Sequence, residues 1–184
     1  MNLTATKFFS PKEELKLLST IAKSNEKSAI VDLMLFQLLS LTGLRISEAL
    51  NLKWDDIGED YIIIRTQKNG KKNRTIDIGN KLIKFLADFK LSNPYAHSEY
   101  LFNTQKGQYK RSNAHDNLKE WLRIANIRTN LSCHSFRHTY ATKCLDAGLS
   151  LAAIRDQLRH SSIAVTSVYL GFSQEHKEKL KELF

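Results

Sequence analysis

Between Ser132 and Leu170 the chain carries His134, Arg137, His160 and Tyr169, with His134 and Arg137 three residues apart and Tyr169 nine residues after His160. Two histidines, an arginine and a phenol are what a protein needs to hold a phosphodiester and attack it without a metal. Arginine presents a planar fork that matches two phosphate oxygens, and it stays protonated at any working pH. A tyrosine hydroxyl has an ordinary pKa of about 10, so as a nucleophile it needs help at neutral pH. A helical His-x-x-Arg pair alone is common and has surface and satisfied-core readings too. The other parts of such a site must come from elsewhere in the chain.

Two stretches offer them. Arg45 follows Thr42-Gly43, and Gly43 is the residue expected at a left-handed helix end. That puts Arg45 in a tight turn between two apolar helices, where a charge without an anionic partner is costly. From Arg65 to Arg74 the chain has five basic residues (Arg65, Lys68, Lys71, Lys72, Arg74) and no acid. Asn69-Gly70 among them is a strong hairpin signal, so the segment reads as a cationic finger; its plain alternative is a solvated turn. Lys106, Lys110 and Arg111, flanking Tyr109, form a second basic loop with an aromatic in it.

The composition agrees with an anionic partner. At 184 residues the chain is long enough for one domain with a real core. A net charge of +9 favours a polyanion, of which nucleic acid is the commonest. No apolar run approaches the roughly 18–20 residues of a membrane span, and no charged segment leads into an apolar signal core, so a cytoplasmic protein is expected. Cys133 and Cys144 fall in one predicted helix and make no disulfide framework; they read as reduced, partly buried thiols.

The elements that must position these groups follow from periodicity and caps. Residues 1–9 read as a linker or lead-in strand. Ser10-Pro11 with Glu13 is a capping box with proline in the first turn, and it opens a helix with a Leu15, Leu18, Ile21-Ala22 stripe. Residues 28–41 form a helix too apolar for the surface, and hence central. Residues 61–65 and 74–78 pair as a hairpin, and residues 80–89 form an amphipathic helix ended by Asn93-Pro94. Ser112 or Asn113 caps a helix to about Ala125, Ser132 caps the His134 helix, Ser150 the next, and Ser161 the Tyr169 helix. On the His134 helix, His134 and Arg137 share one face while Phe136, Tyr140 and Cys144 line another. The sum is α+β, mostly helical with a small antiparallel sheet at about 61–78.

With Arg45, Lys68, His134, Arg137, His160 and Tyr169 in this order, the sequence resembles the catalytic domain of tyrosine site-specific recombinases, the integrase and Xer-like family. Leu41-Thr42-Gly43-Leu44-Arg45-Ile46-Ser47-Glu48 resembles its first box, His134-Ser135-Phe136-Arg137-His138-Thr139-Tyr140-Ala141-Thr142 its second, and Leu158-Arg159-His160-Ser161-Ser162 with Tyr169 its last. Phe136 stands where leucine is usual, and Arg159 where glycine is usual. The resemblance implies catalytic roles for Arg45, Lys68, His134, Arg137, His160 and Tyr169. Tyr169 would attack a DNA phosphodiester to give a 3′-phosphotyrosyl enzyme and a free 5′-hydroxyl, with neither metal nor ATP. Arg45 and Arg137 would hold the non-bridging oxygens, Lys68 would protonate the leaving oxygen, His134 would take the phenol proton, and His160 would support the phosphate. Glu48 could orient Arg45 or be a solvated carboxylate.

Expected DNA contacts are Arg65, Lys71, Lys72, Arg74, Lys106, Lys110, Arg111 and Arg159. The expected organisation is a lead-in segment 1–9, a catalytic domain 10–172 and a C-terminal helix 173–184 that docks on a neighbouring protomer. Self-association as a tetramer on paired sites in double-stranded DNA, and a nucleoid-associated place in a bacterial-type cell, follow from the resemblance. Family members commonly carry an N-terminal DNA-clamping domain, and this sequence begins at the join: an excised catalytic domain or a compact recombinase. His134 and His138 also have the spacing of a helical zinc pair, but the glutamate of a metalloprotease motif is absent. The rival readings are a non-catalytic helix-turn-helix regulator built on residues 150–170 and a type IB topoisomerase-like enzyme.

Overall fold

The computed structural model describes residues 8–26, 28–65, 73–159, 163–167 and 169. Helix α1 (Pro11–Ala22) starts as its sequence dictates: Ser10 Oγ accepts from the Glu13 N–H (3.3 Å) and Glu13 Oε2 accepts from the Ser10 N–H (2.8 Å). The stripe that α1 buries is shifted from the expected one. Leu17 and Ile21 are in the core, whereas Leu15 is exposed. Helix α2 (Ala29–Thr42) is the central element and touches α1, α4, α5 and α6. Its Val31, Met34, Leu35, Leu38 and Leu39 are buried, each such side chain stabilising the fold by about 1.5–3 kcal/mol.

Gly43 ends α2 at φ +63°, its N–H bonded to Leu39 O at 3.0 Å. A Cβ there would lie 2.7 Å from both Leu158 Cδ2 and Tyr140 Cδ1. Glycine is therefore required twice, by backbone conformation and by space. Helix α3 (Ile46–Leu50) follows at once with Arg45 as its N-cap. Strands β1 (Tyr61–Ile64) and β2 (Arg74–Asp77) pair antiparallel with Ile62 opposite Ile76, and both isoleucines point into the core. The hairpin turn carrying Lys68, Asn69-Gly70, Lys71 and Lys72 lies outside the described residues.

Helix α4 (Asn80–Ser92) buries Leu82, Leu86 and Phe89. The second basic loop is a short antiparallel hairpin, β3 (Asn103–Thr104) with β4 (Gly107–Gln108). Tyr109 belongs to the core, not to this loop's surface: its hydroxyl donates to Asp32, which is fully buried. Asp32 also accepts from Trp121 Nε1 (2.8 Å) and Asn117 Nδ2 (3.0 Å). This polar knot joins α2 to helix α5 (Arg111–Ile124), which begins with Lys110 as N-cap, just before the expected Ser112 or Asn113.

Helix α6 (Cys133–Asp146) packs along α2, and α7 (Leu151–Leu158) and α8 (Ile163–Ser167) follow it. Phe136 fills a space that a leucine would leave part-empty, stacked on Phe36 at 5.5 Å and against Phe9 at 4.6 Å. Phe9 is tied down by its N–H, which donates to Thr139 Oγ1 at 2.9 Å. Ala141, Leu145, Ile154, Leu158 and Tyr169 form a second, smaller apolar cluster between α6, α7 and the residues after α8. Ser161 and the C-terminal segment 173–184 lie outside the described residues.

Candidate active site

Ser132 and Ser135 close the first turn of α6, Ser135 Oγ accepting from the Ser132 N–H at 3.0 Å. His134 stands at this helix start, exposed, on the wall of an open cleft of about 700 Å³. Arg45, Ser47, Arg111, His115 and Asp116 line the same cleft. Partial loss of hydration, then the positive charges of Arg137, Arg45 and Arg111, hold the His134 imidazole below its ordinary pKa. It is therefore neutral at pH 7 and able to take a proton.

Arg137 is the most deeply buried cation among the described residues, at 1% exposure. Its Nη1 donates to Gly43 O at 2.7 Å and its Nη2 to Leu158 O. Two of the guanidinium's five donors thus clamp the end of α2 to the end of α7. Burial first, then the charges of Arg45 and Arg159, lower its pKa to about 10, which leaves it protonated at neutral pH. The expected division of α6 into a core face and a chemical face does not hold. Ser135, Phe136, Arg137, His138 and Thr139 are all buried, because α6 is packed by α2 on one side and by α7 and Tyr169 on another.

Tyr169 is 3% exposed, and its hydroxyl lies 2.9 Å from His138 Nδ1. Burial raises the phenol's pKa, and the Arg137 charge partly offsets this. The phenol thus meets His138, whereas the family resemblance implies His134 as the acceptor of its proton. The two imidazoles are in contact, edge to face, at 4.5 Å. The i, i+4 histidine spacing, weighed in the sequence as a zinc pair, was the available signal for His138.

Arg45 caps α3 and reaches the cleft with 43% of its side chain exposed, so its charge is less confined than the tight turn suggested. Its anionic partner is Glu48: Oε2 accepts from the Arg45 N–H (2.7 Å) and Oε1 from Arg45 Nη1 (3.0 Å). The other oxygen lone pairs meet Arg159, whose Nη2 donates to Glu48 Oε2 at 2.6 Å. Burial alone would raise the Glu48 pKa, but the charges of Arg159 and Arg45 and the Arg45 N–H bring it below its ordinary value.

Arg159 is itself the left-handed C-cap of α7, at φ +58°, where a side chain costs about 1–2 kcal/mol relative to glycine. Its side chain is 6% exposed and bound to Glu48. Arg65 is exposed but engaged, its Nε 2.5 Å from the buried carboxylate of Asp56. Arg74, Lys106, Lys110 and Arg111 are exposed. Lys68, Lys71, Lys72 and His160 lie outside the described residues.

The sequence pattern of the phage integrase family matches residues 7–176. The chain belongs to the phage integrase family. Among its relatives, the tyrosine recombinase XerC of Leptospira interrogans is 31% identical over 166 residues, covering 88% of this chain and 52% of the relative. The tyrosine recombinase XerA of Pyrococcus furiosus is 30% identical over 185 residues, covering 97% of this chain and 62% of the relative. The chain spans about half the length of the curated relatives it matches.

Solved structures show the integrase fold directly. The XerH site-specific recombinase, in a post-cleavage complex with its palindromic difH substrate, superposes with a TM-score of 0.79 at 22% identity, over 97% of this chain and 53% of that one. The catalytic domain of bacteriophage HP1 integrase gives 0.69 at 23% identity, over 96% and 94%. The α+β, mostly helical architecture is thus that of a tyrosine recombinase catalytic domain.

Proposed function

We propose that the chain is the catalytic part of a site-specific DNA recombinase that breaks and rejoins strands through a phosphotyrosyl link on Tyr169. The observation that carries this reading is the placing of the Tyr169 phenol between the His138 ring and the field of Arg137, beside the cationic cleft of Arg45 and His134. A helix-turn-helix regulator gives no reason for that burial.

In the proposed reaction Tyr169 Oη attacks phosphorus of a DNA phosphodiester. The bond from phosphorus to Oη forms as the bond to the 5′-oxygen breaks. The phenol proton passes to His138 Nδ1, in the tautomer that carries its hydrogen on Nε2, and His134 is the neutral imidazole next to it. Lys68 is assigned to protonate the leaving 5′-oxygen, and His160 to hold the phosphate, on the resemblance alone. Arg45 and the uncommitted donors of Arg137 would bind the non-bridging oxygens and stabilise the charge that builds on them. Attack by a 5′-hydroxyl of another strand reverses each step and reseals the backbone. The phosphoester bond is conserved in the covalent link, so no ATP is consumed. The substrate is double-stranded DNA, and strand exchange between two duplexes calls for a tetramer on paired sites, in a bacterial-type cell at the nucleoid.

The test is to incubate the protein with nicked duplexes of randomised sequence and look for covalent protein–DNA adducts. Wild type should form one, at a peptide containing Tyr169. Tyr169→Phe should bind the same DNA and form none. An undiminished adduct in that variant would remove Tyr169 as nucleophile.

A further inference from the structure

Arg159 occupies a backbone position at φ +58° that favours glycine, yet its side chain is turned inward onto a carboxylate 111 residues away in sequence. Its Nη2 donates to Glu48 Oε2, its Nη1 to Gln157 O at 3.0 Å, and its buried Nε has no partner among the described residues. A strained backbone and an unpartnered donor are tolerated here only if the contact with Glu48 contributes more than they cost. Glu48 in turn grips Arg45 twice, at the main-chain N–H and at Nη1. Among the described residues the remaining donors of Arg45 bond no protein atom, and Arg45 lines the cleft beside His134.

We propose that Arg159 is a positioning residue that fixes the Glu48 carboxylate and, through it, points the free edge of the Arg45 guanidinium at the phosphate. Without Arg159 the only cation hydrogen-bonded to the carboxylate among the described residues is Arg45. The carboxylate can then turn to take both Arg45 Nη groups and close the fork that the phosphate needs. Arg159 prevents this by occupying Oε2. Its charge also adds to the positive field at Arg137, so the site keeps net positive charge although Glu48 lies within it. The proposal rests on the strand-cleavage reading for its consequence, though not for its geometry.

The experiment has two arms on the full chain. In the first, ¹⁵N–¹H spectra of the arginine side chains are recorded, with Arg45→Lys to assign the Arg45 signals. Wild type should show resolved, slowly rotating Arg45 Nη groups, Arg159→Gly should show them averaged, and Arg159→Lys should restore part of the restriction. Unchanged Arg45 signals in Arg159→Gly overturn the proposal, whatever the protein does to DNA.

The second arm measures adduct formation on the nicked duplexes and thermal unfolding together. Arg159→Gly relieves the left-handed strain, so its melting temperature should hold or rise while its adduct rate falls at least tenfold. Glu48→Gln should lose a similar factor, and the double variant no more than Glu48→Gln alone. An unchanged adduct rate in Arg159→Gly, or losses that multiply in the double variant, overturn the proposal. If wild type forms no adduct, the recombinase reading fails while the first arm still decides the positioning role.

Discussion

Arg137 Nη1 donates to the carbonyl oxygen of Gly43 at 2.7 Å, across 94 residues of sequence. The bond fastens the most buried charge of the site to the turn that launches Arg45. The same guanidinium also holds Leu158 O, so the ends of α2 and α7 meet at one side chain. The two arginines of the site are therefore built as one unit, and damage to the turn reaches both.

Gly43→Ala tests that unit. The new Cβ would sit 2.7 Å from Leu158 Cδ2 and Tyr140 Cδ1 at a positive φ. The expected cost is about 1–3 kcal/mol of stability, read as a lower urea midpoint. The adduct rate should fall as well, since Arg45 and the Gly43 carbonyl move together. An unchanged midpoint would contradict the packing described.

Arg137→Lys keeps a charge but cannot bridge two carbonyls and a phosphate at once. The rate of adduct formation should drop roughly 10²–10³-fold. Stability should fall too, by about 1–3 kcal/mol, because the carbonyls of Gly43 and Leu158 lose a buried donor. A lysine variant that cleaves at the wild-type rate would show that Arg137 is structural only.

The parts of this architecture that were legible in the sequence are those encoded locally. The apolar run of α2, Gly43 at its end, the Ser10 capping box and the amphipathic helix over residues 80–89 (Asn80–Ser92 in the structure) all depend on neighbours a turn or two away. The parts that were not legible depend on distant partners. Tyr109 looked like a loop aromatic among lysines because Asp32, which draws it inward, is 77 residues earlier. Leu15 fits the α1 stripe on spacing, but the packing of α1 on α2 and α5 buries Leu17 instead. For Arg159 the departure from glycine was visible, whereas its partner Glu48 was not. In the sequence His138 stands out only by its spacing from His134, and the fold brings it to Tyr169.

The pH response follows from two opposed shifts. Burial keeps the Tyr169 phenol protonated across the neutral range, so cleavage depends on its proton passing to His138, a transfer that a charged His134 imidazole in contact with that ring opposes. His134 titrates below its ordinary value of about 6.5. Adduct formation should therefore rise with pH through the acid range and level off by about pH 6.5. Stability carries the same sign. The unfolded chain binds a proton on His134 that the folded chain resists, so the His134 contribution is present above about pH 6.5 and is lost as pH falls through the folded pKa. His134→Gln should flatten the fall in urea midpoint between those limits. A wild-type midpoint that climbs on acidification in that range would reverse the sign.

Arg111 is exposed at the start of α5 and lines the cleft. If it contacts a DNA phosphate, Arg111→Ala should weaken binding alike across sequences and reduce the slope of log K against log salt by about 0.9. Titrations at several salt concentrations measure this directly. A variant with the wild-type slope would take Arg111 out of the phosphate contacts.

Trp121→Phe probes the buried knot that carries α5 into place. Asp32 is fully buried and accepts from Trp121 Nε1 at 2.8 Å, from Asn117 and from the Tyr109 hydroxyl. Removing the indole N–H leaves the carboxylate short of one donor in a place water does not reach, at a cost of about 1–3 kcal/mol. Asp32→Asn should be damaging by itself, because an amide nitrogen presents hydrogens to donors that need an acceptor. Combining the two should cost less than the sum of the single losses, since each removes part of the same bond network. Urea unfolding of the four proteins closes that cycle, and strictly additive losses would mean that Asp32 and Trp121 act independently. The knot also sets where α5 begins, so the two single variants should lower the affinity for DNA to the extent that Arg111 loses its place on the cleft wall.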